Sequence, residues 1–421
     1  MSARGDSGDL NVIHAAALAR IKDRGGPRRG PEQRLLDLVR DGAVAIRDGV
    51  IVSVGTTETV LREVGPALTI DAEGKTVIPG FVEAHSHPLF AGARAQEYLR
   101  RIQGVSRQEI LDSGGGILAA VTATRAASDQ ALLRNAARAY ERFLLAGVTT
   151  LEVKSGYGLT TRDELRMLRL LADSSDRTPI DLVITFLGAH TVPPGGTPEE
   201  FSSLVAQEML PAVVKQGIAE FHDLVCENGE FEAGLAAQLL GRSRELGMPA
   251  RVHADASSRS DGWRTAVDGG ATTADHLTYT AVEDVRAVGE TTTIAVLLPV
   301  AEQIYLDTQT APARALIESN VPVAIASDYC SSIHVASPLL AMATATWRFR
   351  MTLAEALVAS TLNASYSLRR GHDRGSLDPG KRGDVVVLDV EHPDEIAISP
   401  GTPLVRQVIS GGRLVFGELS P

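Results

Sequence analysis

Between Thr76 and Ala326 the chain alternates: eight short apolar runs of strand length are separated, for the most part, by amphipathic stretches of helix length. The runs are Thr76–Ala84, Val148–Val153, Ile180–Phe186, Glu220–Val225, Pro249–Val252, Ala271–Ala274, Thr292–Leu298 and Pro322–Ala326. The helix-like segments between them include Gln130–Leu145, Arg162–Leu171, Phe201–Lys215, Ala233–Leu246 and Ala311–Glu318. Parallel strands need long crossovers, usually helices, so eight such units predict an α/β chain folded as a (β/α)8 TIM-like barrel.

The two ends have a different texture. Gly42–Ile46 and Val50–Val54 flank Arg47-Asp48-Gly49, a hairpin signal, and Leu68–Ile70 follows. The last stretch repeats the pattern with Asp384–Asp389, Val405–Ile409 and Arg413–Phe416. These ends predict a small β-sandwich domain built from both, with residues 1–75 and 373–421 as its halves and 76–372 as the barrel. The Gly/Pro/Arg segment Gly25–Pro31 is expected to be a mobile loop.

At 421 residues the chain is long enough for a barrel plus an addition. A hydrophobic fraction of 44% with 22% charged residues excludes a largely disordered chain. The net charge of −11, with no basic block, argues against nucleic acid as a partner. No apolar run approaches the roughly 18 residues that cross a bilayer. The Met1–Arg20 segment lacks a secretory pattern, so a cytoplasmic enzyme is expected. Cys226 and Cys330 have no CxxC spacing and fit a reducing compartment.

Chemistry-bearing residues follow the strand-like runs. His85 and His87 end the first, Lys154 and Tyr157 the second, His190 the third and Glu227 the fourth; His253, His276 and Asp328 follow the fifth, sixth and eighth. In a (β/α)8 barrel the carboxyl ends of the strands share one face, so these positions converge on one mouth. His85 and His87, two apart on extended chain, point to the same side. With His253 and Asp328 they offer three nitrogens and a carboxylate oxygen, a set suited to one divalent metal, Zn2+ or Fe2+, with a position left for water. Such a site lowers the pKa of bound water and polarises a carbonyl or imine. Asp328 could then accept the proton of the attacking water, and His276 could stabilise the oxyanion, shuttle a proton or orient a ligand.

Thr76-Val-Ile-Pro-Gly-Phe-Val-Glu-Ala-His-Ser-His87 resembles the first-strand signature of the amidohydrolase superfamily, and Gly375–Asp384 is similar to its usual return into the sandwich. More narrowly, Gly114–Ile117, Thr122–Arg125, Gly147–Leu159 and Thr185–His190 resemble the imidazolonepropionases, which open an imidazolone ring to formiminoglutamate in histidine degradation. The resemblance, from about residue 40 to the end, implies metal ligation by His85, His87, His253 and Asp328, with His276 assisting catalysis. It implies contacts from Arg94, Tyr157 and His190 to a small cyclic substrate, one metal rather than two, and a homodimer. A guanidinium at Arg94 suits a substrate carboxylate.

Three positions depart from that family. Ala256 stands where Gln or Glu is usual after His253-Ala-Asp, Cys330 where an amide is usual after Asp328, and Arg107 where a tyrosine precedes the triple glycine. Cys330 is read as a small pocket residue rather than a nucleophile, and Glu227 could replace the missing acid near Ala256. The leading expectation is a cyclic amidohydrolase. A deaminase of an aminoimidazole or purine-like ring is the alternative, and a metal-binding protein without hydrolytic function is the third reading.

Overall fold

The alternation folds as an eight-stranded parallel sheet. In a computed structural model, which describes residues 9–65 and 67–418, the strands are β1 (Phe81–Glu83), β2 (Val148–Lys154), β3 (Asp181–Ala189), β4 (Phe221–Cys226), β5 (Ala250–Ala254), β6 (Thr273–His276), β7 (Ile294–Leu297) and β8 (Val323–Ile325). They lie in sequence order, each parallel to the next. The seam between β8 and β1 is drawn together by a bridge from Ser86 to Tyr329, where the His87 N–H donates to the Tyr329 carbonyl at 2.7 Å. The buried Glu83 carboxyl spans the same seam, accepting the Ser327 N–H at 2.9 Å.

Local chemistry sets the helices. Ser128 and Thr160 cap Asp129–Leu145 and Thr161–Ser175 by accepting backbone N–H groups of their first turns. Leu132, Ala136, Ala139, Tyr140 and Phe143 form the buried stripe of the first of these. The predicted Phe201–Lys215 helix is interrupted: Pro198–Leu204 and Leu210–Gln216 are joined by a π-helical turn, Val205–Met209. Pro211 offers no N–H to the turn before it, and the widened turn accommodates that loss.

The chain ends form two sheets. One has four strands in the order Val50–Thr56, Gly42–Arg47, Leu10–Ala15, Leu68–Asp71. The other has six, in the order Arg413–Phe416, Val405–Ser410, Val385–Leu388, Thr76–Pro79, Ala17–Ala19, Leu38–Val39. The predicted hairpin closes with Arg47 opposite Val50 and a two-residue turn in which Asp48 (φ 49) and Gly49 (φ 78) are both left-handed. The six-stranded sheet is apolar on both faces because each face meets a different core. Val77, Val385 and Val387 pack with Leu10, Val12 and Ile46 between the sheets, whereas Ile78, Val386 and Leu388 pack into the barrel core.

Two expectations change. Thr76–Ala84 is not one strand: Thr76–Pro79 belongs to the six-stranded sheet, and β1 starts only after Gly80. Buried on all sides, the run carried no polar alternation to mark the switch. Gly25–Pro31 is not a loose loop either. Arg28 is buried, its N–H donates to Asn363 Oδ1 at 2.7 Å, and its guanidinium pairs with Asp37 at 2.9 Å. Residues 1–8, read above for targeting, lie outside the described residues. Among the described residues no helix is long and apolar enough to cross a membrane.

A methyl group at Gly80 would collide with the Thr149 side chain of β2. Gly80→Ala should therefore destabilise the fold by about 1–3 kcal/mol in urea titrations, and adding Thr149→Ala should recover part of the loss.

Candidate active site

The carboxyl ends of the strands gather the predicted residues. The ring nitrogens that His85, His87 and His253 can offer a metal all lie within 4.8 Å of one another. His85 and His87 approach through their Nε2 atoms at 3.3 Å, and Asp328 Oδ1 stands 3.7 Å from the first and 3.6 Å from the second. His276 joins the cluster, with its ring centroid 5.1 Å from His253 and 5.3 Å from His85. Asp328 (φ 56) and His276 (φ 75) both hold left-handed backbone, a conformation rare outside glycine and frequent where function fixes a side chain.

Hydrogen bonds choose the tautomers. His85 Nδ1 meets Asp275 Oδ2 at 2.6 Å and His253 Nδ1 meets Asp223 Oδ1 at 3.1 Å. Carboxylates only accept, so each Nδ1 carries the proton and each Nε2 keeps a lone pair for the cluster. Burial, with Lys154 and the neighbouring imidazoles, holds His85 well below its ordinary pKa, so it is a neutral ligand. His253 Nε2 is buried without a hydrogen-bond partner, as is His87 Nδ1. An orphaned, inward nitrogen among converging imidazoles is the environment that a divalent ion completes. Burial pushes the Asp328 carboxyl up to about 7 against the pull of His253, Lys154 and Arg94, and a cation at the cluster would favour its charged form.

Below the imidazoles lies a set of buried charges that the sequence reading had not assembled. Lys154 Nζ pairs with Glu152 Oε1 at 2.6 Å and Asp223 Oδ2 at 2.7 Å. Arg251 reaches Asp275 at 3.0 Å, Glu152 at 3.7 Å and the Ala84 carbonyl at 2.8 Å. The signal was present as charges two apart inside apolar strands, Glu152 and Lys154 above all, which period-two geometry points to one face.

Around the mouth stand the other predicted residues. His190 Nδ1 lies 2.9 Å from the Gly156 carbonyl and therefore carries hydrogen; its ring stacks on His87 at 5.2 Å, and burial lowers its pKa to about 3. The buried Tyr157 hydroxyl lies 3.4 Å from Ser331 Oγ. Arg94 donates its backbone N–H to Ser331. Burial works against its charge, but Tyr305, Cys330, Glu97 and Tyr157 outweigh it and raise its pKa. The Arg94 Nε has no hydrogen-bond partner, although Glu97 Oε2 stands 3.4 Å away. Cys330 Sγ contacts Ser332 Oγ at 3.3 Å, and burial raises the thiol to about 11. Such a thiol is no nucleophile near neutral pH. Glu227 spends its carboxylate on the Ser257 N–H and the Ser257 and Ser258 hydroxyls, bracing the loop after Ala256. The Arg107 side chain lies outside what the structure describes.

A barrel with an imidazole cluster at its strand ends and a sandwich from both chain ends marks an amidohydrolase, and the model of the amidohydrolase family matches residues 76–415. The chain is 40% identical over 392 residues to an imidazolonepropionase from Geobacillus kaustophilus, covering 91% of this chain and 92% of that one. It is 40% identical over 386 residues to one from Haloarcula marismortui, covering 91% of each. An adenosine deaminase from Xanthomonas campestris shares the fold, with a TM-score of 0.69 and 17% identity over 97% of this chain and 93% of that one. A triazine hydrolase variant does too, at 0.71 and 16% over 97% and 95%. The chain belongs to the imidazolonepropionase family of amidohydrolases. It is a hydrolase of carbon–nitrogen bonds in a small cyclic substrate, from a superfamily that uses a divalent metal.

Lys154→Met would leave three buried carboxylates facing one guanidinium. It should cost about 3–5 kcal/mol of stability in denaturant titrations, whereas Lys75→Met, at a surface ion pair, should cost under about 1 kcal/mol.

Proposed function

We propose that this enzyme opens the imidazolone ring of 4-imidazolone-5-propanoate, adding water to give N-formimidoyl-L-glutamate. The observation that carries the reading is the convergence of three imidazoles on one point beside Asp328 in a chain of this family. His85, His87, His253 and Asp328 would hold one divalent ion, Zn2+ or Fe2+; when bound, it polarises the ring carbonyl and acidifies water toward neutrality. The pairing of Lys154 with Glu152 and Asp223 supports one metal. A bridging carbamate on that nitrogen would set a third negative charge against those two.

Asp328 takes the proton of the attacking water as the carbonyl carbon becomes tetrahedral. His276 is held neutral, its pKa lowered chiefly by burial and His253, and donates an N–H to the developing oxyanion. As the ring C–N bond breaks, the proton on Asp328 passes to the departing nitrogen. The new carboxyl gives its proton to the basic formamidine, so the products are a carboxylate and a formamidinium. Arg94 holds the propionate, which favours a carboxylated ring over the neutral amidine of a deaminase substrate. Tyr157, His190 and Cys330 shape the ring pocket. The reading extends to a cytoplasmic enzyme with no nucleic-acid partner, supported by the net charge of −11 and the two unpaired cysteines, and to a homodimer, which rests on the family resemblance alone. It also takes residues 1–75 and 373–421 as one sandwich domain and 76–372 as the barrel segment, whose first strand, Thr76–Pro79, is lent to the sandwich.

Freshly generated imidazolonepropionate, added to enzyme of known metal content, should yield formiminoglutamate by mass spectrometry at about 1–10³ s⁻¹. No turnover with metal bound overturns the reading. His253→Ala should lose both metal and activity, whereas His276→Ala should keep its metal and lose most turnover; equal metal loss in both would sink the assigned roles. Arg94→Met should raise KM about a hundredfold with metal content unchanged.

A further inference from the structure

Seven of the eight strand ends carry a residue singled out above, and β7 carries none. Yet β7 lies between β6, which ends in His276, and β8, which leads to Asp328. The chain that leaves β7 therefore borders the mouth between the residue placed at the oxyanion and the carboxylate placed at the metal. That chain is the short helix Pro299–Tyr305.

We infer that Tyr305 is a substrate-binding, specificity-determining residue whose hydroxyl donates a hydrogen bond to a ring nitrogen of the bound substrate; this rests on the hydrolase reading above. The hydroxyl lies 2.9 Å from Ser332 Oγ and 3.9 Å from Cys330 Sγ, both on the loop directly after Asp328. A cyclic substrate with its carboxylate on Arg94 and its reacting carbonyl beside Asp328 lays its ring along the loop that follows Asp328, and this hydroxyl is in contact with Cys330 and Ser332 of that loop. Burial raises the phenol well above its ordinary pKa, so it keeps its proton and is a donor. The hydroxyl shares a hydrogen bond with the Ser332 hydroxyl, a partner that a ring nitrogen can replace.

The ring is fixed independently of the hydroxyl. The Arg101 guanidinium lies 4.7 Å from the Tyr305 ring centroid, a cation–π contact. Arg101 belongs to the helix Ala95–Ile102, whose N-terminal flank is Arg94. The same helix thus positions both the carboxylate clamp and the phenol, so that substrate length is measured between them.

Tyr305→Phe separates the two roles, because it keeps the ring and its contact with Arg101 and removes only the hydroxyl. Imidazole-4-propionate, a ring nitrogen acceptor with the same carboxylate that cannot be hydrolysed, would be titrated calorimetrically into metal-loaded full-length enzyme. Tyr305→Phe should weaken its Kd about tenfold and raise KM for imidazolonepropionate similarly, the worth of one neutral hydrogen bond. Metal content and the unfolding midpoint should stay unchanged. Tyr305→Leu should lose binding and thermal stability together. Wild-type affinity in Tyr305→Phe would overturn the inference and leave the phenol as a structural latch. Weakened probe binding by Tyr305→Phe, with no turnover in the wild type, would overturn the proposed reaction and leave the binding role standing.

Discussion

The mouth of this barrel depends on five buried charges that hold one another in place: Glu152, Asp223, Asp275, Lys154 and Arg251. Removing each from water costs several kcal/mol, and only pairing repays it. Lys154 is shared by Glu152 and Asp223, and Arg251 by Asp275 and Glu152, so no acid is left without a cation. Asp223 and Asp275 each spend a second contact on an imidazole. The tautomer and orientation of His253 and His85 are therefore inherited from the charges below them. Three carboxylates against two cations leave the floor of the cluster negative, which favours a divalent cation above it.

The loops above this floor are held by the same device in a milder form. Irregular loops leave backbone N–H groups unpaired, and here buried carboxylates collect them. Glu164 accepts from Gly156, Gly158 and Leu159 and so fixes the loop bearing Tyr157. Asp255 accepts from Ser260, Gly262 and Trp263 just beyond His253. Glu97 accepts from Gly116 of the triple glycine while its other oxygen faces Arg94. Substrate-facing side chains are thereby set on rigid loops, which is what orientation of a small ring requires.

Much of this was legible because periodicity and position are local. The apolar runs marked the strands, and a histidine or aspartate just past a run marked the mouth, so the convergence of His85, His87, His253, His276 and Asp328 could be read from their positions in the sequence. What escaped lacked a local mark. Gly80 divides a run that is apolar on both sides of it. Arg28 reads as loop but is anchored to Asn363, far away in sequence. Asp223 and Asp275 were visible as charges within apolar strands, but their partners come from other strands, and only closure of the barrel shows that they meet. Tyr305 ends an ordinary amphipathic stretch, and nothing near it in sequence tells of Cys330, Ser332 or Arg101.

The junction at Gly80 bears on how the protein is made. Thr76–Pro79 takes Ala17–Ala19 as one neighbour and Val385–Leu388 as the other. The first emerges from the ribosome before it, but the second emerges only after the entire barrel. The strand that leads into His85 and His87 is thus half-paired throughout synthesis, with an open edge beside the nascent ligand pair. Completion of the catalytic mouth is tied to arrival of the last segment, and a chain truncated before Val385 would expose that edge to other strands.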